Sequence, residues 1–246
     1  MKGRRFVVAS DNHGDEFDPE TAKALRDFLK DFKPEIRVHA GDNWDFRNLR
    51  KGASDDEKAH SLEDDWEAGT EWLRNYFDGA KEGYFLRGNH DERIWKFRDS
   101  ATGLLRDYAA DGIKRIERIV AQAKVKMLPY DSRHGVLRLG HLRVIHGFFA
   151  GMGAARRHSI AYGNCLFGHT HATDSAPVES IEGPAEARGI GCCCKIDMSY
   201  NQHLVGKLRH DNAFAYGLLF PDGTYQLFQA KKINGRFYAA TEIKTL

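Results

Sequence analysis

Five short runs carry residues able to do chemistry together: Asp11-Asn12-His13, Gly41-Asp42, Gly88-Asn89-His90-Asp91, His146-Gly147 and Gly168-His169-Thr170-His171. Between them they mix carboxylate, amide and imidazole donors. Oxygen and neutral imidazole nitrogen together suit borderline divalent ions such as Mn, Fe, Co, Ni or Zn, whereas an all-oxygen set would favour Mg or Ca. The runs offer too many ligands for one tetrahedral ion but enough for two ions sharing a carboxylate, with positions left for water and substrate. Such a pair, about 3.5–4 Å apart, holds a hydroxide between the ions and grips a phosphoryl group for in-line attack. The chemistry expected is hydrolysis of phosphate esters.

Such a site needs its donors fixed at the ends of rigid elements, and the flanking sequence supplies them. Arg5 to Ser10 has its apolar residues, Phe6 to Ala9, in succession and leads into Asp11, as in a strand buried on both faces. A helical stripe of Ala22, Leu25, Phe28, Leu29 and Phe32 follows Pro19, and Ile36 to Ala40 makes a second strand ending at Gly41-Asp42. This is a βαβ unit. It makes the two strands parallel, so Asp11 and Asp42 can meet although some thirty residues separate them. Ser54 to Asp78 reads as one long helix, and Tyr84 to Leu86 as the strand before Gly88, whose glycine is expected to let the chain turn. Residues 91–122 read as two or three helices that could cap the site.

The second half is β-rich. Strand-like runs lie at 125–128, 136–139, 142–145, 164–167, 173–178, 189–195, 213–220, 225–230 and 236–240, with a small-residue helix around 154–162. Its triplet Cys192-Cys193-Cys194 is expected in a buried strand, reduced and structural, because neighbouring cysteines do not reach disulfide geometry easily.

Composition limits what this chemistry can be attached to. The 246 residues are 29% charged and 41% hydrophobic, contain no linker-like stretch, and include no apolar run long enough to span a membrane. We expect a single domain over 1–246, soluble and cytoplasmic, since the N-terminus runs directly into a strand rather than a signal-peptide segment. A formal net charge of +2 gives no global footprint for nucleic acid, although local patches remain open. The sequence assigns no oligomeric state.

In their order, the five runs resemble the signature of the calcineurin-like metallophosphoesterase superfamily. The resemblance implies an α/β fold, a four-layer αββα sandwich of two packed mixed sheets, with a binuclear centre at the strand ends. Carried over by position, it gives one metal to Asp11, His13, Asp42 and His171 and the other to Asp42, Asn89, His146 and His169, bridged by Asp42. His90 becomes the catalytic group that stabilises the transition state or protonates the leaving oxygen, and Asp91 a group that could orient it. Two divalent ions are implied, Mn first. Arg156 and Arg157, after the His146 loop, could reach a further phosphate of the substrate. The protein Ser/Thr phosphatase branch carries Arg-Gly after the second aspartate of GDxxD and Glu after GNH. This chain has Asp45-Phe46-Arg47 and Asp91 there, which argues against that activity and towards a phosphodiesterase acting on nucleotides or nucleic acid. A phosphomonoesterase is the second reading, and a non-catalytic scaffold, expected to have lost ligands that are present here, is the third.

Overall fold

A computed structural model describes residues 3–180, 183–197 and 209–243. His203 and Lys207 lie outside them. Twelve strands are described: β1 (Arg4–Ala9), β2 (Ile36–His39), β3 (Glu82–Leu86), β4 (Lys126–Leu128), β5 (Leu137–Leu139), β6 (Leu142–Ile145), β7 (Cys165–Phe167), β8 (Ser175–Ser180), β9 (Gly183–Gly189), β10 (Ala213–Leu219), β11 (Tyr225–Ile233) and β12 (Arg236–Phe237). Among the described residues they form two mixed sheets, a seven-stranded one in the order β12-β11-β10-β1-β2-β3-β4 and a five-stranded one in the order β5-β6-β7-β9-β8. The helices are α1 (Pro19–Phe32), α2 (Asp55–Ala59), α3 (Leu62–Phe77), α4 (Arg93–Ser100), α5 (Gly103–Gln122) and α6 (Ala154–Tyr162).

Consecutive apolar residues in β1 follow from the layering. Phe6 and Val8 face the smaller sheet, meeting Leu137, Leu139, Leu142, Val144 and Leu166. Val7 and Ala9 face the opposite way, into a core with Leu25, Phe28 and Phe32 of α1, Trp66 and Leu73 of α3, and Ile113 and Ile116 of α5. On the far side of the smaller sheet Ile145, Cys165, Phe167 and Ala187 lie against Ala155 of α6. The result is the expected αββα order. β1 pairs with β2 and β2 with β3 in parallel, and β6 with β7 in parallel, so the ends of β1, β2, β3, β6 and β7 lead into the five motif runs.

Helix boundaries obey local chemistry. Asp18 caps α1 by accepting the Thr21 N–H at 2.7 Å, and Pro19 occupies its first turn. The single helix expected over 54–78 is two: Ser54 forms a capping box on α2, and Ser61 starts α3 afresh. In the region expected as a cap, α5 buries Ala109, Ile113, Ile116, Ile119 and Val120, and its Gly112 sits against Ile94 of α4 and Trp66 of α3. Its first two turns leave Leu104, Leu105 and Tyr108 exposed. No helix among the described residues is long and apolar enough to cross a membrane.

The cysteine triplet is buried as expected but is not a strand. After β9, which the sequence reading missed, Ile190 N–H donates to Phe167, Cys192 N–H to Asp211 and Cys193 N–H to Ser10 and Asp11. Each residue thus meets a different segment, and only isolated bridges form, Phe17 with Cys194 and Cys192 with Asn212. A segment enclosed on every side has the same apolar run as a buried strand. All four cysteines are free and buried.

The loop after β2 lies against α3 because α3 carries Gly69 there: a Cβ at this position would overlap the Trp44 indole. Alanine normally favours a helix over glycine by about 1 kcal/mol, yet Gly69→Ala should destabilise the protein by about 1–3 kcal/mol through overpacking. Urea denaturation measures this, and a stabilised variant would show that the loop can retreat.

Candidate metal centre

The residues singled out in the motif runs converge on Asp42. Its Oδ2 lies 3.4 Å from His146 Nε2 and 3.9 Å from both His13 Nε2 and His90 Nε2, while its Oδ1 accepts the His90 backbone N–H at 2.8 Å. His146 Nε2 is 3.0 Å from Asn89 Oδ1. His13 Nε2 is 3.1 Å from His171 Nε2, which in turn is 3.5 Å from Asp11 Oδ1. Two groups of donors with atoms within 4.8 Å of one another, His13 with Asp42 and His90, and Asp42 with His146 and His169, share the Asp42 carboxylate.

The orientation of these rings fits a cation. His146 Nδ1 donates to the Ala40 carbonyl at 2.9 Å, which aims Nε2 at the oxygens of Asn89 and Asp42. Burial should disfavour a charged imidazole there, but the charge and hydrogen bond of Asp42, with Asp11, push His146 up to about 9. Burial would likewise raise Asp11, yet His171, by hydrogen bond and charge, holds it down at about 2. The pocket's carboxylates call for positive charge. His169, by contrast, is lowered to about 4 by burial and by His146, leaving its imidazole neutral.

Local backbone explains how short runs deliver so many donors. Asp11, His13, Asp42, His169 and His171 all have left-handed φ, between 52° and 67°. These turns are braced by continuing the β1–β2 ladder past the strands: Asp11 N–H donates to Gly41, His13 N–H to Asp42 and Gly14 N–H to Asn43. Gly88 serves differently from expectation. Its φ is not positive, and what it provides is space, since a Cβ there would fall on the Asp42 carboxylate and backbone nitrogen.

Asp91 does not orient His90. Its carboxylate accepts four backbone N–H groups, from Asp42 and Gly88 at 2.8 Å and from Asn43 and Trp44 at 3.0 Å. Burial and the Asp42 charge push it up to about 7, but four donors suit the ionised form. The carboxylate against His90 Nδ1 is Asp45, which also meets His13 Nδ1 at 3.2 Å and Arg47 Nε at 2.7 Å. Arg93 Nη2 stands 3.1 Å from His90 Nε2 and Arg93 Nη1 donates to the Asp45 carbonyl at 2.7 Å.

Other supporting residues were also missed. Asp65 of α3 is buried and accepts the N–H groups of Asp45 at 3.0 Å and Phe46 at 2.7 Å, and burial raises it to about 7. Asn12 accepts from His39 Nε2 at 2.7 Å and donates to the Asn43 carbonyl at 2.9 Å. Burial lowers His39 to about 3 and keeps it neutral. Cys194 Sγ lies 3.8 Å from His171 Nδ1, the ring edge away from Asp11. For Asp45, its place in the GDxxD spacing was a usable signal. For Asp65 and Cys194 the sequence carries none.

Arg156 and Arg157 are not brought into this cluster. Both are exposed on α6, Arg157 stacking 4.0 Å over the Phe149 ring and Arg156 lining a groove beside the helix.

A family model described as calcineurin-like phosphoesterase matches residues 4–173, more than half of the sequence. The chain belongs to that family. No curated protein matches it. Among solved structures, this calcineurin-like phosphoesterase is similar to Chaetomium thermophilum Vps29 at 10% identity, covering 93% of this chain and 95% of that one with a TM-score of 0.42. It is similar to Vacuolar Protein Sorting 29 from Cryptosporidium parvum at 13% identity, over 94% and 98% of the chains, TM-score 0.39. YfcE, a phosphoesterase from E. coli, is 14% identical over 89% of each chain, TM-score 0.37.

In a calcineurin-like phosphoesterase built this way, Asp91→Asn should lower stability by about 2–4 kcal/mol, because an amide presents an N–H to donors that a carboxylate accepts. A loss under about 0.5 kcal/mol in urea denaturation, the scale of an ordinary surface substitution, would show that this grip is not structural.

Proposed function

We propose that this chain is a metal-dependent phosphodiesterase acting on nucleotides or nucleic acid. The observation that carries the hydrolytic part is the convergence of imidazole and carboxylate donors on a shared Asp42, within a family of phosphoesterases. Asp11, His13, Asp42 and His171 would hold one divalent ion and Asp42, Asn89, His146 and His169 the other, with Mn the first candidate and Fe, Zn, Ni or Co alternatives. Such ions, when bound, supply an activated water and neutralise charge on the phosphoryl oxygens.

The chain's own residues then do the rest. Asp45 holds His90 by Nδ1, so that Nε2 faces the Asp42 side, where the imidazole, once protonated on both nitrogens, would stabilise the transition state or protonate the leaving oxygen. Arg93, beside the same nitrogen, sets a guanidinium where a phosphoryl oxygen would gather. One guanidinium matches the single charge of a diester better than the roughly 1.5–2 charges of a monoester. The Asp91 and Asp45-Phe46-Arg47 departures from the protein-phosphatase pattern favour the same side. Four free, buried thiols suit a reducing compartment such as the cytoplasm.

Metal-stripped protein refilled with Mn, Ni, Co, Zn or Mg should hydrolyse bis-p-nitrophenyl phosphate with a higher kcat/KM than p-nitrophenyl phosphate. The reverse preference would make the protein a phosphomonoesterase, and no turnover with both metals bound would make it a scaffold. The roles separate by variant. Asp42→Asn should lose both metals in elemental analysis, whereas His90→Ala should keep them and lower kcat about 100-fold or more; equal metal loss in the two would refute the division.

A further inference from the structure

The outer face of the smaller sheet carries a second feature with its own chemistry. A groove of about 1390 Å³ is lined by Arg133, Arg138 of β5, Arg143 of β6 and Arg156 of α6, with Glu179 of β8 as its carboxylate. This exceeds the roughly 300–1,000 Å³ of a small-molecule pocket. Some surface arginines hold carboxylates: Arg50 pairs with Glu57, Arg115 with Glu63, Arg188 with Glu186 and Arg209 with Asp174. Among the described residues none of the four groove guanidiniums does. Arg143 is fixed by donating to the Tyr162 carbonyl at 2.8 Å. Four arginines from four elements share the groove with one carboxylate, Glu179, and this excess of positive charge gathered in one groove suits a polyanion.

The groove is joined to the metal centre by a line of half-buried aromatic rings. Tyr130 lies with its ring centroid 5.6 Å from that of His146 and stacks on Phe148 at 5.1 Å. Phe148 lies 6.0 Å from Tyr162, which itself lines the groove, and Tyr162 Oη donates to the Ser132 carbonyl at 3.1 Å, next to Arg133. Partly exposed rings beside a row of arginines can hold unpaired bases and their backbone together, since any base has a face to stack and every linkage a charge to pair. Duplex DNA would hide its bases from these rings.

From this we infer that the arginine groove is an exosite for single-stranded nucleic acid, which binds the backbone phosphates of a strand whose scissile diester lies at the metal centre, with the Tyr130–Phe148–Tyr162 rings between. The inference rests on the diester reading above for the strand's second contact point, but the groove's binding can be measured without turnover.

The probe is a fluorescein-labelled oligothymidylate of about 12 nucleotides, within the range a single-strand groove covers. Its anisotropy is followed on the metal-loaded full chain carrying His90→Ala, so that the probe is not consumed. Adding Arg133→Ala and Arg138→Ala should weaken binding about tenfold or more and make the slope of log K against log salt shallower by about 1.4, two phosphate contacts at about 0.7 each. Arg133→Lys with Arg138→Lys, which keeps the charge at the same exposed positions, should retain most of the affinity. Oligothymidylate affinity unchanged by the alanine pair overturns the inference, as does equal affinity for inorganic polyphosphate of the same length. Failure of the diesterase reading looks different: bis-p-nitrophenyl phosphate is not hydrolysed by the unmodified protein, while the arginine-dependent binding persists.

Discussion

The buried carboxylate of Asp91 ties two loops that would otherwise be independent. By accepting the N–H groups of Asp42, Asn43 and Trp44 on one side and Gly88 on the other, it fixes the end of β2 against the end of β3. With that grip in place, the His90 N–H reaches Asp42 Oδ1 and Asn89 reaches His146. Gly88 completes the contact because no side chain could stand between the loops. All four of these donors come from the backbone. The grip makes the rest of the site geometrically single-valued.

That constraint matters because the donors are held in costly conformations. Five candidate ligands with left-handed φ would together cost on the order of 5 kcal/mol or more at about 1 kcal/mol or more each, as much as the whole net stability of many domains, about 5–15 kcal/mol. An isolated loop would relax. Here the extended β1–β2 ladder, the Asp91 grip and the Trp44, Phe46 and Trp66 rings behind the loop offset the strain together. The strained geometry is therefore a property of the two-sheet sandwich rather than of any one motif.

Behind the donors lies a set of groups that settle which nitrogen each imidazole presents. The Ala40 carbonyl engages His146 Nδ1, Asp45 engages Nδ1 of both His13 and His90, and Cys194 Sγ lies against His171 Nδ1. Every one of these partners meets the ring edge away from Asp42 or Asp11, so the Nε2 edges converge. Such outer partners fix tautomer and ring angle, and with them ligand strength. Arg47 and Asp65 extend the set outward, holding Asp45 by its side chain and by its backbone.

The sequence by itself determined the layers and the family. Runs such as Phe6 to Ala9 announce strands buried on both faces, the stripe in α1 announces a helix over one of them, and five motifs at strand ends announce the calcineurin-like phosphoesterase family and a candidate metal centre. These are local or periodic signals, which a linear chain carries openly. Only the tertiary structure decided that Asp91 braces loops while Asp45 holds His90, that Asp65 and Cys194 belong to the site, and that the cysteine run threads between segments instead of forming a strand. Each of those depends on which distant backbone or ring lies within about 3–4 Å, and residue type constrains that distance hardly at all. An aspartate that accepts four amides and one that grips two histidines read identically until the loops that carry them are folded against each other.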